Sequence, residues 1–131
     1  MREKIKLLII EDDEQFREML EFNLSLEGFE VYLAADGPTG LEIARKKKPE
    51  VILLDWMMEG MNGLEVLSKL KYDKKTGDIP VFMMTAKGQI GDIDRACYLG
   101  ADDYITKPFE VMQLGRIIRF KLDKLQNAQI R

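Results

Sequence analysis

Six residues in four separated stretches of the chain could do chemistry together: Glu11, Asp12 and Asp13 in one run, then Asp55, Thr85 and Lys107. Taken singly, each has an ordinary structural use. An acidic run can cap a helix or match its dipole, an Asp can start a turn, and a Thr can cap locally. Taken together they define a charge problem. Two carboxylates about 5 Å apart at an effective dielectric of ~20 repel by roughly 3 kcal/mol, so a cluster must raise its pKa values or recruit a cation. Lys107 offers one positive charge, too little for Glu11, Asp12 and Asp55. A hard divalent ion held by carboxylates, a carbonyl and waters balances the set, and Mg²⁺ suits such few-carboxylate sites. A nucleophilic carboxylate, a metal, a hydroxyl and an ammonium are the parts for phosphoryl transfer to Asp.

The elements between these residues explain why they could meet. Leu7-Leu8-Ile9-Ile10, Val51-Ile52-Leu53-Leu54 and Val81-Phe82-Met83-Met84 are unbroken apolar runs of strand length, the pattern of strands covered on both faces. Phe29, Val31 and Leu33 alternate with polar neighbours as on a strand nearer an edge, and Tyr104-Ile105-Thr106 is a short fifth candidate stopped by Lys107-Pro108. Helical spacing fills the intervals: Phe16, Met19, Leu20 and Leu24, with Gly28 as the terminal cap; Leu41 and Ala44; Leu64, Leu67 and Leu70; Ile93, Ala96 and Cys97, closed by Gly100; and Val111, Leu114, Ile118, Leu122 and Leu125. Five β–α alternations imply a doubly wound α/β fold with a parallel sheet and helices on both faces. The acidic run, Asp55, Thr85 and Lys107 then all stand at strand C-termini, the edge where open α/β sheets bind ligands.

Composition narrows the function further. The chain has 131 residues, 20 Lys and Arg against 23 Asp and Glu, for a net charge of −3, with 46% hydrophobic residues. This fits one domain over residues 1–131, with a core at about 6–125 and a frayed tail at 126–131. The mild acidity argues against direct nucleic-acid binding, and no apolar run is long enough to span a membrane. Cys97 is the sole cysteine, so no intrachain disulfide forms and a reducing cytoplasm is the natural setting. Histidine is absent, which excludes imidazole catalysis and ligation; any phosphohistidine must belong to another protein.

The motifs Leu-Ile-Ile-Glu-Asp-Asp, Val-Ile-Leu-Leu-Asp-Trp-Met-Met, Met-Thr-Ala and Gly-Ala-Asp-Asp-Tyr-Ile-Thr-Lys-Pro-Phe resemble those of the response-regulator receiver domains of two-component signalling, from about Lys6 to Leu125. The resemblance implies the flavodoxin-like strand order 2-1-3-4-5 of the chemotaxis regulators. It implies Asp55 as phosphoacceptor, with Mg²⁺ held by Asp12, Asp55 and the carbonyl of Met57, and Glu11 acting mainly through water. Thr85 and Lys107 would each engage a phosphoryl oxygen, with small Ala86 leaving room. Asp13 belongs to the first turn of its helix, and Lys107-Pro108 matches a peptide bond usually cis in the family. Tyr104 fits the aromatic switch position, and Gly88 and Gly91 would let the loop after Thr85 move. The partners implied are a sensor histidine kinase or a histidine phosphotransfer protein, and an output protein or domain.

Some positions depart from the family pattern. Glu59 stands where a proline is common. Ile93, Gln113 and Ile117 replace polar residues of the ionic dimer contact found in winged-helix transcription regulators, although Asp102-Asp103 matches it. Ile117 and Phe120 lie off the main stripe of the last helix and would either widen its buried face or add to an apolar partner or homodimer surface. Met57 and Lys87 sit where relatives tune phosphoryl lifetime, and a bulky Met57 would slow attacking water. One rival is an aspartyl-nucleophile phosphatase of haloacid dehalogenase type, but Met57 stands where that chemistry wants a second Asp. A nucleotide or flavin module lacks its Gly-rich phosphate cradle here. A receiver-like binding module that is never phosphorylated is the third alternative.

Overall fold

The computed structural model describes residues 4–58, 60–86 and 99–130. The elements are β1 (Ile5–Ile10), α1 (Glu14–Leu26), β2 (Phe29–Ala34), α2 (Gly37–Lys47), β3 (Val51–Asp55), α3 (Gly63–Tyr72), β4 (Val81–Ala86), β5 (Asp103–Lys107) and α4 (Val111–Ile130). The five strands form one parallel sheet in the order β2-β1-β3-β4-β5, as the resemblance implied. The helix expected around Ile93, Ala96 and Cys97 lies outside the described residues, as do Glu59, Lys87, Gly88 and Gly91.

The unbroken apolar runs form the three central strands because both of their faces are covered. Leu8, Ile10, Ile52, Leu54 and Met83 pack toward Leu41, Ala44, Val66, Leu67 and Leu70 of α2 and α3. Their alternating neighbours Leu7, Ile9, Leu53, Phe82 and Met84 pack toward Leu20 and Leu24 of α1 and Leu114, Ile118 and Leu122 of α4. Each such side chain contributes about 1.5–3 kcal/mol on burial, so a one-residue slip in register, which exchanges the two faces, is strongly opposed. Register therefore fixes the rim: Ile10 pairs with Leu54, Asp55 with Met84, and Ala86 with Lys107.

Helix starts follow their caps. Asp13, Asp36 and Asn62 each accept from the backbone N–H three residues on, opening α1, α2 and α3. Asp13 thus precedes the first turn that the sequence reading gave it. At the other end, α4 continues through residues 126–130, where fraying was expected. The buried stripe ends near Leu125, but Gln126, Asn127 and Ala128 are exposed and include no Gly or Pro to break the helix.

Candidate functional site

Strand β3 is wholly buried and ends in Asp55, which is itself only 5% exposed. Two strands meet beside it. Glu11 follows β1, its N–H donating to the Ala34 carbonyl at 3.0 Å, which carries the ladder one residue past the strand. Its own carbonyl accepts from Arg17 Nη1 at 2.8 Å, so the first turns of α1 hold the acidic run in place. The Glu11 side chain is buried and that of Asp12 is exposed, so the two point differently from adjacent positions. One carboxylate oxygen from each of Glu11, Asp12 and Asp55 can be chosen so that all three lie within 4.8 Å of one another.

Lys107, the last residue of β5, reaches over from the edge and places Nζ 3.2 Å from Asp55 Oδ1. The same ammonium lies 4.9 Å from the centroid of the Phe16 ring. The Lys107-Pro108 bond is cis. Thr85 is fully buried, and its Oγ1 has no hydrogen-bond partner among the described residues; Glu11 Oε2 is in the same condition. A buried polar atom without a partner costs about 1–3 kcal/mol, which places unspent hydrogen-bonding capacity at the rim.

Charge crowding is visible in Glu11. Burial, then the hydrogen bond and negative charge of Asp55, push its carboxyl from the ordinary 4.5 up to about 9; Lys107 opposes this and Asp12 adds to it.

The loop after Asp55 is held by a residue the sequence reading passed over. Gly63 N–H donates to the Trp56 carbonyl at 3.0 Å, and a Cβ at Gly63 would stand 2.4 Å from the Asp55 carbonyl oxygen and 2.8 Å from Trp56 Cα. Only a glycine lets α3 start against the end of β3. The one available signal was Asn62-Gly63, an N-cap followed by a residue without a side chain. Met57, inside this loop, has an exposed side chain.

Tyr104 lies on β5 with 40% of its surface exposed. Asp102 accepts from Lys71 Nζ and from the Val81 N–H, both at 2.8 Å, and Asp103 pairs with Lys121 at 3.0 Å. Both acids are engaged within the chain. Phe120 is well exposed, whereas Ile117 is half-buried and packs against the core face shared with α1.

Comparison with known proteins agrees with this arrangement. Residues 7–119 match the family model of the response regulator receiver domain. The chain is 41% identical over 114 residues to the DNA-binding dual master transcriptional regulator RpaA of Synechocystis sp., covering 87% of this chain and 47% of that protein. It is equally 41% identical over 108 residues to the phosphate regulon transcriptional regulatory protein PhoB of Pseudomonas aeruginosa, covering 82% and 47%. The chain thus spans about half the length of these relatives. Among solved structures, the chemotaxis protein CheY4 of Vibrio cholerae superimposes with a TM-score of 0.84 at 27% identity, covering 89% of this chain and 98% of that one. The receiver domain of NtrX from Brucella abortus gives 0.80 at 29% identity, covering 89% and 98%. The chain belongs to the response-regulator receiver family and is a signalling switch by class. Among the described residues no helix is long and apolar enough to cross a membrane.

Proposed function

We propose that this chain is a Mg²⁺-dependent phosphoacceptor working in the cytoplasm, with Asp55 as its nucleophile. The observation that carries the reading is the convergence of Glu11, Asp12 and Asp55 beside the Lys107 ammonium, with the buried Thr85 hydroxyl still to be paired. Three carboxylates with one cation are a donor set for a hard divalent ion, so Asp12, Asp55 and the Met57 carbonyl would hold Mg²⁺, with Glu11 acting through water. When bound, the ion supplies charge stabilisation to the transferring phosphoryl group.

The donor is a phosphohistidine of a sensor histidine kinase or a histidine phosphotransfer protein. An Asp55 carboxylate oxygen forms a bond to phosphorus as the P–N bond breaks, leaving the imidazole on the partner. Lys107 neutralises charge on the phosphoryl oxygens, and Thr85 Oγ1 donates a hydrogen bond to one of them. Water later breaks the new P–O bond, releasing inorganic phosphate and restoring Asp55; the exposed Met57 side chain stands in the loop beside Asp55 and would hinder that approach. The gained phosphoryl group carries nearly two negative charges, which draw Thr85 and Lys107 inward and let Tyr104 follow.

The output is a changed surface around β5 and α4. Exposed Phe120 and Met112, with half-buried Ile117 on the same helix, suit an apolar contact with an output domain or a second copy of the chain. Incubation with Mg²⁺ and a small phosphodonor, read by intact mass, tests the core of the proposal. One added phosphoryl group is expected in wild type and none in Asp55→Asn or with chelator. Equal modification of both proteins would overturn the assignment of Asp55.

A further inference from the structure

The Lys107 ammonium has two neighbours of different kinds. Asp55 Oδ1 lies at 3.2 Å, and the face of Phe16 lies at 4.9 Å from ring centroid to Nζ. Phe16 is itself backed by Phe109, with ring centroids 5.9 Å apart and planes inclined by 40°. Both rings are half-buried and pack on the core face formed with α1 and α4. The position of Phe16 is set by the local sequence: Asp13 accepts from the Phe16 N–H at 3.1 Å, fixing the first turn of α1, and the neighbouring Arg17 is bound to the Glu11 carbonyl. The ring is therefore anchored to the acidic run at one edge and to the segment after Lys107 at the other.

We infer that Phe16 is a positioning residue for phosphoryl transfer, its ring face carrying the Lys107 ammonium and aiming it at Asp55. This rests on the phosphoacceptor reading above. A lysine has a long flexible stem, and the Lys107 side chain is 30% exposed, so water competes for its ammonium. An aromatic face attracts a cation through its quadrupole and holds none of the negative charge that would add to the crowding at Asp55. A carboxylate in the same place would pull the ammonium away from the phosphoryl group; an aliphatic side chain would pack equally well and hold nothing. The ring thus restricts the ammonium while leaving its N–H groups for the acceptor oxygens, which is pre-organisation of a charge used in the transition state.

The experiment compares wild type, Phe16→Leu and Phe16→Tyr, each alone and with Lys107→Met, for the rate of phosphoryl gain from a small phosphodonor with Mg²⁺. Phe16→Leu is expected to slow the gain by about three- to tenfold, Phe16→Tyr to stay within about twofold of wild type, and Phe16→Leu to cause no further slowing once Lys107 is Met. Proton shifts of the Lys107 methylenes next to Nζ, read without phosphodonor, should show the ring current in wild type and Phe16→Tyr and lose it in Phe16→Leu. Equal rates in wild type and Phe16→Leu, or the same slowing in the Lys107→Met background, would overturn the inference, as would shifts insensitive to Phe16. A wild type that gains no phosphoryl group defeats the phosphoacceptor reading instead, and the positioning role with it.

Discussion

Lys107 Nζ stands 3.2 Å from Asp55 Oδ1, a contact that joins β5 to β3 across the intervening β4. It is also the contact that the proposed divalent ion would share, because ion and ammonium would compete to neutralise the same carboxylates. Lys107→Met removes the nearer positive charge. Mg²⁺ is therefore expected to bind about three- to tenfold more tightly, after allowance for screening of the partly exposed ammonium. On the proposed phosphoacceptor reading, phosphoryl gain should fall at least about tenfold over the same substitution, since the group that would neutralise the transferring oxygens is gone. Trp56 is the single tryptophan and adjoins Asp55, so its fluorescence reads the metal titration directly. Weaker Mg²⁺ binding in Lys107→Met would mean that the lysine supports the metal site rather than opposing it.

Glu11 makes the metal-free site sensitive to pH. Its carboxyl ionises near 4.5 when unfolded and at about 9 in the folded chain, so between these values the folded state holds a proton that the unfolded state has lost. The sign follows: this contribution to stability is complete at acid pH and disappears as pH rises through the folded value. Urea unfolding in the presence of chelator should show stability declining from about pH 5 to 9, with a flatter profile in Glu11→Gln. Mg²⁺ affinity should change in the opposite sense, rising with pH as the proton leaves. A wild-type profile parallel to that of Glu11→Gln would show that Glu11 does not carry the effect.

Gly63 offers a test of how the loop shapes the site. A methyl group there meets the Asp55 carbonyl oxygen and Trp56 Cα, both main-chain atoms that cannot rotate away. Gly63→Ala is expected to cost about 1–3 kcal/mol of stability and to weaken Mg²⁺ binding by displacing the segment that bears Met57. Chemical denaturation and the Trp56 titration measure the two effects. Lost stability with unchanged metal affinity would separate the loop from the ion.

Lys71 provides the contrasting case, a charge with a structural role. Its ammonium donates to the Ile79 carbonyl at 2.9 Å and to Asp102 at 2.8 Å, tying α3 to the segments that enter β4 and β5. The group is largely covered, so Lys71→Met should cost about 2–3 kcal/mol, the range for charge-assisted hydrogen bonds lost from such a position. The contacts lie at the start of β4 and β5, the opposite end of those strands from Thr85 and Lys107. Phosphoryl gain at a temperature where the variant is folded is expected to match wild type. A large loss of rate would instead point to coupling along β4 and β5.

The contrast between Lys107 and Lys71 shows what the sequence could reveal. Strand C-termini are readable because apolar runs end abruptly, so the sequence alone puts Glu11, Asp55, Thr85 and Lys107 on one rim. The central strands were legible for the same reason: burial on both faces leaves no polar interruption. What escaped were relationships carried by geometry alone. Gly63 is required by the approach of two main-chain segments, and the Phe16 ring meets Lys107 only after α1 and β5 have been brought together. Periodicity placed Phe16 on an apolar stripe but could not tell which polar atom would lie over its face. Helix ends were missed where polar residues continue a helix without a buried stripe, as after Leu125.

Tyr104 and Thr85 make the last prediction. Tyr104 is 40% exposed, while Thr85 Oγ1 is buried without a partner among the described residues. Strand pairing sets Met83 beside Tyr104 and Thr85 beside Thr106, so the two lie on adjoining strands, offset by two residues along the ladder. If the hydroxyl turns to a phosphoryl oxygen, the space beside it opens and the half-exposed ring has somewhere to go. Phosphorylation should therefore lower the solvent exposure of Tyr104 and shift its ring resonances, while Tyr72, which is 91% exposed on α3, stays unchanged and serves as an internal reference. Thr85→Ala should still gain phosphoryl groups on Asp55, more slowly, yet fail to draw the ring inward. Fluorotyrosine NMR with and without phosphodonor distinguishes the outcomes. A Tyr104 resonance indifferent to phosphorylation in wild type would remove it from the switch, and one that moves equally in Thr85→Ala would show that the threonine does not drive it.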